Sequence, residues 1–255
     1  MNREEQKQTI KDYLKRLGAG EELESVRVDF VKKFQSVDAA EIMNAEQELI
    51  KEGTPISEVQ RLCDVHSALF HGKTREEQIA NAPKATVDSI REQRFAKTAE
   101  LVKIPGHPLH TFTLENEALA KTIEKCREAL KNGHVEYKLI EEVRQLAIHY
   151  AKKGDLLYPH LKVKYEISGP SDVMWTVDDE IRDEFAALAK KADSQDDEWK
   201  KRFEAALTRA DEMIYKEANI LFPNCAFNFT DEEWFGIYRD SKDYAECFGV
   251  ENGVW

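Results

Sequence analysis

The sequence is short of the residues that interrupt helices and shape tight turns. It has 11 glycines and 7 prolines in 255 residues, about 7% of the chain against roughly 12% in an average protein. Sandwiches and barrels of short strands need a turn every ~8–12 residues, and so few turn formers cannot supply them. Because Glu, Lys, Ala and Leu are abundant, the composition favours helices. We predict an all-α fold.

Long apolar segments are also missing. The first residues, Met1-Asn2-Arg3-Glu4-Glu5-Gln6-Lys7, are polar and contain no apolar core of a signal peptide. No run approaches the ~18 apolar residues of a membrane span. The four cysteines are far apart and form no Cys-x-x-Cys pair, which favours reduced thiols over a disulfide framework. We therefore expect a cytoplasmic protein that does not insert in a membrane.

Several classes of function lack their sequence signals. The formal net charge of −12 repels phosphate groups, so we expect neither nucleic acid nor an anionic membrane as a partner. No Walker sequence, Gly-x-Gly-x-x-Gly loop or Gly-x-Ser-x-Gly elbow is present. The sequence therefore offers no nucleotide-binding loop and no obvious nucleophile for acyl transfer.

Apolar residues at spacings of three and four divide the chain into three parts. Residues 1–72 hold four short amphipathic helices, the first over residues 3–17, and form a small N-terminal module. Residues 73–104 form a polar linker with a helix at about 87–101. Residues 105–255 hold four long helices, which predict an up-down-up-down bundle. The bundle helices are expected at about 107–132, 135–158, 172–192 and from about 193 to before Pro223, with a last helix at 231–240.

Histidines and carboxylates recur at helical spacing in the predicted bundle. The candidates are, in chain order, His107, His110, His149, Asp178, Met213 and Glu217. If the helices pack side by side, these side chains converge in one interior, where imidazole and carboxylate suit iron or another transition metal. Each also has an ordinary explanation: a hydrogen-bonded helical histidine, a methionine that fills a core, or an acid on a solvated face.

Four segments of this bundle resemble the helix motifs of hemerythrin-like (HHE cation-binding) domains. They are residues 106–110, residues 149–159 with a Leu-Leu-Tyr-Pro end, residues 177–182, and residues 216–223 with a Leu-Phe-Pro end. The stretch 40–70 resembles the domain of unknown function 438, through residues 41–47 and 62–66. The resemblance implies an iron-binding four-helix bundle that binds or senses dioxygen, nitric oxide or redox state, and thus a binding or sensor protein in preference to an enzyme. It also implies a PAS-type sensor domain or a protein partner, and the chain ends at Trp255, about where such a domain would begin.

Three positions depart from the di-iron ligand set that the resemblance implies. Lys153 stands where a bridging Glu is expected, Asp178 where the third helix carries a His, and Met213 where the fourth helix carries a His. Glu217 keeps one bridging carboxylate. Because an ammonium at a bridging position repels two cations in a low-dielectric interior, we do not expect an intact di-iron centre.

Three interpretations of the interior remain. The first is a mononuclear iron site, with ligands His110, His149, Asp178 and Glu217 and with His107 as a second-tier candidate. The second is haem, held between Met213 and either His149 or His110. The third is an interior without metal, in which Lys153 forms a buried ion pair with Glu217 or Asp178. In that case the protein is an interaction or signalling module.

A further pair, Cys63 and His66, lies in the N-terminal module. Residues three apart on a helix are neighbours, so the pair can contribute to a metal or haem site. Both residues also lie on the apolar face of their predicted helix, which favours core packing.

Overall fold

The computed structural model describes residues 3–21, 25–26, 48, 50–55 and 89–255. Within these residues the regular structure is helical, and the strand-like pairing is limited to one antiparallel bridge between Cys247 and Val250. The prediction of an all-α fold is confirmed. None of the helices in the described part of the chain is long and apolar enough to span a bilayer.

The described helices follow one another with short connections. In chain order they are α1 (Arg3–Gly18), α2 (Ser89–Leu101), α3 (Pro108–Lys131), α4 (Tyr137–Arg144), α5 (Leu146–Leu156), α6 (Ser168–Ala189), α7 (Asp197–Lys216), α8 (Phe222–Asn228) and α9 (Asp231–Ser241). Single π-helical turns lie after α5 and α7. They are π1 (His160–Lys164) and π2 (Glu217–Leu221).

The chain divides into two units. The first comprises Met1–Arg91 and Ser168–Val173, and the second comprises Glu92–Ile167 and Met174–Trp255. The other helices predicted within residues 1–72, and the pair Cys63 and His66, lie outside the described residues.

In the first unit, α1 has the amphipathic character that its sequence predicts. Tyr13, Leu14 and Leu17 are buried along one face. Lys11 is buried as well, and its ammonium lies 2.8 Å from a carboxylate oxygen of Glu48 and 2.8 Å from one of Glu52. A largely buried ammonium is therefore paired with two carboxylates, as its desolvation requires.

The long helices of the second unit begin and end at recognisable caps. His107 precedes α3, accepts a hydrogen bond from the backbone N–H of Leu109 and is followed by Pro108, whose missing N–H costs nothing at this position. At the start of α9, a capping box between Thr230 and Glu233 is present in both directions. These local signals fix where the helices start.

Two of the predicted bundle helices differ from their expected form. The helix expected over 135–158 is interrupted at Gln145, where Gln145 and Ile148 each donate to the carbonyl three residues earlier instead of four. The helix expected to end before Pro223 instead continues through π2 into α8. It can do so because Pro223 lies in the first turn of α8, where a proline has no hydrogen bond to lose.

One part of the bundle core is aromatic and apolar. The rings of Phe185 and Phe203 meet edge to face at 5.6 Å, and Trp199 stacks on Phe203 at 4.7 Å. All three side chains are buried. We call Phe185, Trp199 and Phe203 the aromatic layer.

Candidate functional site

Elsewhere in the same bundle, the interior is charged. The side chains come from α3, α5, α6 and the start of π2, and none is more than 3% exposed. They are Glu115, His149, Lys152, Lys153, Asp178 and Glu217, which we call the charge network. The spacing of His149, Lys152 and Lys153 on α5 puts all three on one face of that helix.

One half of the charge network is centred on His149. Its Nδ1 lies 2.7 Å from a carboxylate oxygen of Glu115, and its Nε2 lies 2.9 Å from an oxygen of Glu217. Lys152 donates to the other oxygen of Glu115. The amide of Asn116 donates to Glu217 over 2.7 Å. The imidazole is thus held between two buried carboxylates.

The other half is centred on Lys153. Its ammonium donates to Glu217 and, over 2.9 Å, to Asp178. It also lies 4.3 Å from the centre of the Tyr150 ring, close enough for a cation–π contact. The second oxygen of Asp178 accepts a hydrogen bond from the Tyr158 hydroxyl at 2.9 Å. The ammonium of Lys153 therefore bridges two carboxylates that would otherwise repel each other.

The electrostatics of His149 and Glu217 follow from this arrangement. Burial alone would lower the pKa of His149, but the carboxylates of Glu217 and Glu115 outweigh it and raise the pKa to about 9. Burial alone would raise the pKa of Glu217, but Lys153 and His149 hold it at about 2. The imidazole is accordingly protonated at neutral pH, and its positive charge completes the pairing of three cations with three carboxylates.

Asp178 is the carboxylate of the network whose charged form is stabilised least by its partners. Burial dominates and raises its pKa to about 6, although Lys153 acts in the opposite direction. Tyr158 and Tyr150 beside it are fully buried, and desolvation raises the pKa of both phenols well above the ordinary value. Both phenols therefore stay neutral at any ordinary pH.

The structure brings together some of the residues that the sequence singled out. His149, Asp178 and Glu217 are all in the charge network, with Lys153 between the last two. Both ion pairs of the third interpretation, Lys153 with Glu217 and Lys153 with Asp178, are present.

The other predicted residues have different surroundings. His110 is partly buried, and its Nδ1 lies 2.7 Å from the backbone oxygen of Val102. His107 is fully buried and packs against the rings of Trp234 and Trp255, at 4.8 and 4.7 Å. Met213 is buried one helical turn before Glu217.

Sequence reasoning missed Glu115, Asn116 and Lys152. The buried face of α3 carries the apolar residues Phe112, Leu119 and Ile123. Glu115 and Asn116 interrupt this apolar stripe at the spacing of a buried position. A polar residue within a stripe of core residues is the signal that marks them.

Two family models match the chain. Residues 10–76 match a family of unknown function (DUF438), and residues 107–225 match the Hemerythrin HHE cation binding domain. The chain carries a hemerythrin-like domain. The order of the two matches is the one that the sequence motifs predicted. No curated protein and no solved structure matches the chain.

The match supports a metal-binding, hemerythrin-like protein, without naming the metal or its ligands. The side chains of this chain do not fit a resident metal ion in the arrangement described. Protonated His149 has no lone pair to offer, and the ammonium of Lys153 lies between the two carboxylates that a cation would share. Among the described residues, no group of three or more His, Cys, Asp or Glu side chains could hold a metal ion.

Proposed function

We propose that the hemerythrin-like domain works without a metal, as an interaction or signalling module. The observation that carries this proposal is the position of the Lys153 ammonium, which bridges Asp178 and Glu217 inside a fully buried network. Lys153 supplies from the chain itself the positive charge that a bound cation would supply.

The charge balance of the interior supports this proposal. Three carboxylates already face two ammonium groups and one imidazolium. A divalent ion about 4 Å from an ammonium is repelled by on the order of 8 kcal/mol at an effective dielectric constant of ~20. Metal binding would therefore require Lys153 to leave the interior or to lose its proton.

Thermal unfolding with and without metal tests the proposal. A ligand that binds only the folded state raises the midpoint in proportion to the logarithm of its concentration. We expect ferrous iron, manganese and zinc to leave the unfolding midpoint of the full chain unchanged. A midpoint that rises steadily with the concentration of one of these metals would contradict a metal-free module.

A mononuclear metal site is the second candidate function, and the family match favours it. In this candidate, iron held by His149, Asp178 and Glu217 binds or senses dioxygen, nitric oxide or redox state. The third candidate, haem between Met213 and a histidine, predicts a Soret band. The visible spectrum of protein from iron-replete cells separates haem from the other two candidates, because neither the metal-free module nor non-haem iron gives a Soret band. The iron content per chain then separates those two.

Substitution of Lys153 by Glu gives the reverse test. Lys153→Glu replaces the internal cation by a fourth carboxylate, and we expect the variant to acquire a metal-dependent rise in its unfolding midpoint. Lys153→Met removes the ammonium without adding a ligand and is the matched control. An equal metal response in the two variants would show that loss of the positive charge alone, without a new ligand, decides metal binding.

A further inference from the structure

The segment after α9, residues 243–255, packs against the bundle. We call it the strap. Three hydrogen bonds connect the strap to the described helices. The Tyr244 hydroxyl donates to Asp155 on α5 over 2.7 Å, and the Phe248 N–H donates to Gln145 between α4 and α5. The Trp255 N–H donates to the hydroxyl oxygen of Tyr238 on α9 over 3.2 Å. Tyr244, Phe248 and Trp255 also pack on the hydrophobic core.

The backbone of the strap lies directly against the backbone just before α3. Gly106 has a φ of +79°, and a Cβ there would overlap the backbone of Val254 and lie 2.5 Å from the backbone nitrogen of Trp255. A Cβ on Gly253 would lie 2.9 Å from the Cα of Gly106. Two glycines are therefore required for the strap to lie this close.

The last residue of the strap covers a buried histidine. The Trp255 ring meets the His107 ring nearly edge to face, at 4.7 Å and 68°. Nδ1 of His107 accepts from Leu109, so Nε2 carries the proton, and it has no nitrogen or oxygen partner among the described residues. Aromatic rings can accept such an N–H weakly, and Trp255 supplies one of the two rings at this position.

The middle of the strap reaches the charge network. Cys247 is 1% exposed, and its thiol lies beside the carboxylate of Glu115, the residue that pairs with Lys152. Burial, with a further contribution from the charge of Glu115, raises the pKa of Cys247 to about 12. The strap therefore shields the Lys152–Glu115 end of the network from solvent.

The backbone at this point is strained. Phe248 has a φ of +55° and Gly249 a φ of +71°, and a bulky residue in the left-handed region is a genuine outlier. The conformation is held by the hydrogen bond from Phe248 to Gln145 and by the bridge between Cys247 and Val250. Backbone strain of this kind favours a change of the strap's conformation once the surrounding contacts are lost.

We propose that the strap opens as a local unit, separately from the rest of the bundle, and that its opening controls access to the Lys152–Glu115 end of the charge network. Cys247 is the only buried residue of the strap, and the strap includes strained backbone, as expected of a segment with low local stability. The inference does not depend on whether the interior holds a metal.

Thiol alkylation of the full-length native protein tests the proposal, because Cys247 contacts Glu115 and any reagent that reaches the thiol has reached the network. Cys126 and Cys225 are fully buried in the bundle core and report on its global opening. We expect N-ethylmaleimide to label Cys247 at least about tenfold faster than either, as read by peptide mass spectrometry. If the three cysteines are labelled at one common rate, the strap opens only with the whole bundle and the proposal is wrong.

A pair of glycine variants tests whether the contact between Gly106 and the strap controls the labelling of Cys247. Gly106→Ala forces a Cβ into the strap, whereas Gly133→Ala imposes similar backbone strain at φ +92° with no atom within 4 Å. We expect Gly106→Ala to accelerate the labelling of Cys247 by about tenfold or more and to leave Cys126 and Cys225 unchanged relative to Gly133→Ala. Equal acceleration of Cys247 in the two variants would overturn the proposal.

Discussion

The aromatic layer and the charge network lie in the same hemerythrin-like bundle and are stabilised in opposite ways. On α6, Asp178 belongs to the network and Phe185, two turns later, belongs to the aromatic layer. The aromatic layer is held by apolar area and ring contacts, which tolerate a smaller apolar side chain at moderate cost. The network is held by matched charges, and removal of one partner leaves another buried and unpaired. We therefore expect substitutions in the network to cost more stability than substitutions in the aromatic layer.

The largest expected effect is the loss of one charge from the network. Lys153→Met leaves Asp178 and Glu217 without their shared ammonium, and we expect the free energy of unfolding to fall by about 3–5 kcal/mol, as for other broken buried pairs. Denaturant unfolding at pH 7 measures this directly.

The double variant Lys153→Met with Asp178→Asn is the control for that prediction. It removes one positive and one negative charge, and the alternating contacts from Lys152 through Glu115 and His149 to Glu217 remain. We expect it to be more stable than Lys153→Met alone. If Asp178→Asn lowers the free energy of unfolding by the same amount in Lys153→Met as in the wild-type protein, the two residues are not coupled through charge.

The second effect is a decline of stability above neutral pH, to which His149 of the network contributes. His149 has a pKa of about 9 when folded, above its ordinary value of 6.5, so its stabilisation is complete below pH 6.5 and is lost as the pH rises through 9. We expect this loss to be on the order of 2–3 kcal/mol. Unfolding measured at pH 6.5, 8 and 9.5 should show the decline, and His149→Gln should flatten it.

At acidic pH two carboxylates of the network have opposite effects on the free energy of unfolding. Glu217 has a pKa lowered to about 2, so its stabilisation is present above 4.5 and is lost as the pH falls through 2. Asp178 has a pKa raised to about 6, so it lowers stability above pH 6 and this cost disappears on acidification towards 3.8. We therefore expect maximum stability between about pH 4.5 and 6.5. A maximum above pH 8 would contradict the assigned protonation state of His149.

The smallest effect is expected in the aromatic layer. Phe185→Leu keeps an apolar side chain of similar volume, and we expect a loss of about 1–2 kcal/mol that is independent of pH. The same denaturant series at the three pH values checks both points. A loss that varies with pH in the manner of His149→Gln would mean that the two regions are not independent.

Much of this architecture can be predicted from the sequence, because local signals determine it. The 3.6-residue periodicity located α3, α7 and α9, and the capping box at Thr230 fixed the start of α9. One of the three interpretations of the interior, a buried ion pair of Lys153 with Glu217 or Asp178, follows from the need of a buried ammonium for a carboxylate partner. The two partners of Lys153, Glu217 and Asp178, were both named.

The remainder depends on tertiary packing that periodicity does not specify. Glu115 lies among apolar residues of α3, and only its contact with His149 and Lys152 reveals its role. His110 shares a helix with Glu115, yet its ring meets the backbone of Val102, since a small rotation of the helix decides which residues face the interior. The strap contacts of Cys247 and Trp255 join residues more than a hundred positions apart in sequence, which no local signal records.

The metal content of the wild-type protein tests the central claim most directly. After equilibrium dialysis of the full chain against ferrous iron or zinc under anaerobic conditions, the bound metal is counted by elemental mass spectrometry. Because Lys153 already bridges Asp178 and Glu217, we predict no stoichiometric metal. One or two tightly bound ions per chain, lost on substitution of Glu217 or His149, would contradict the account.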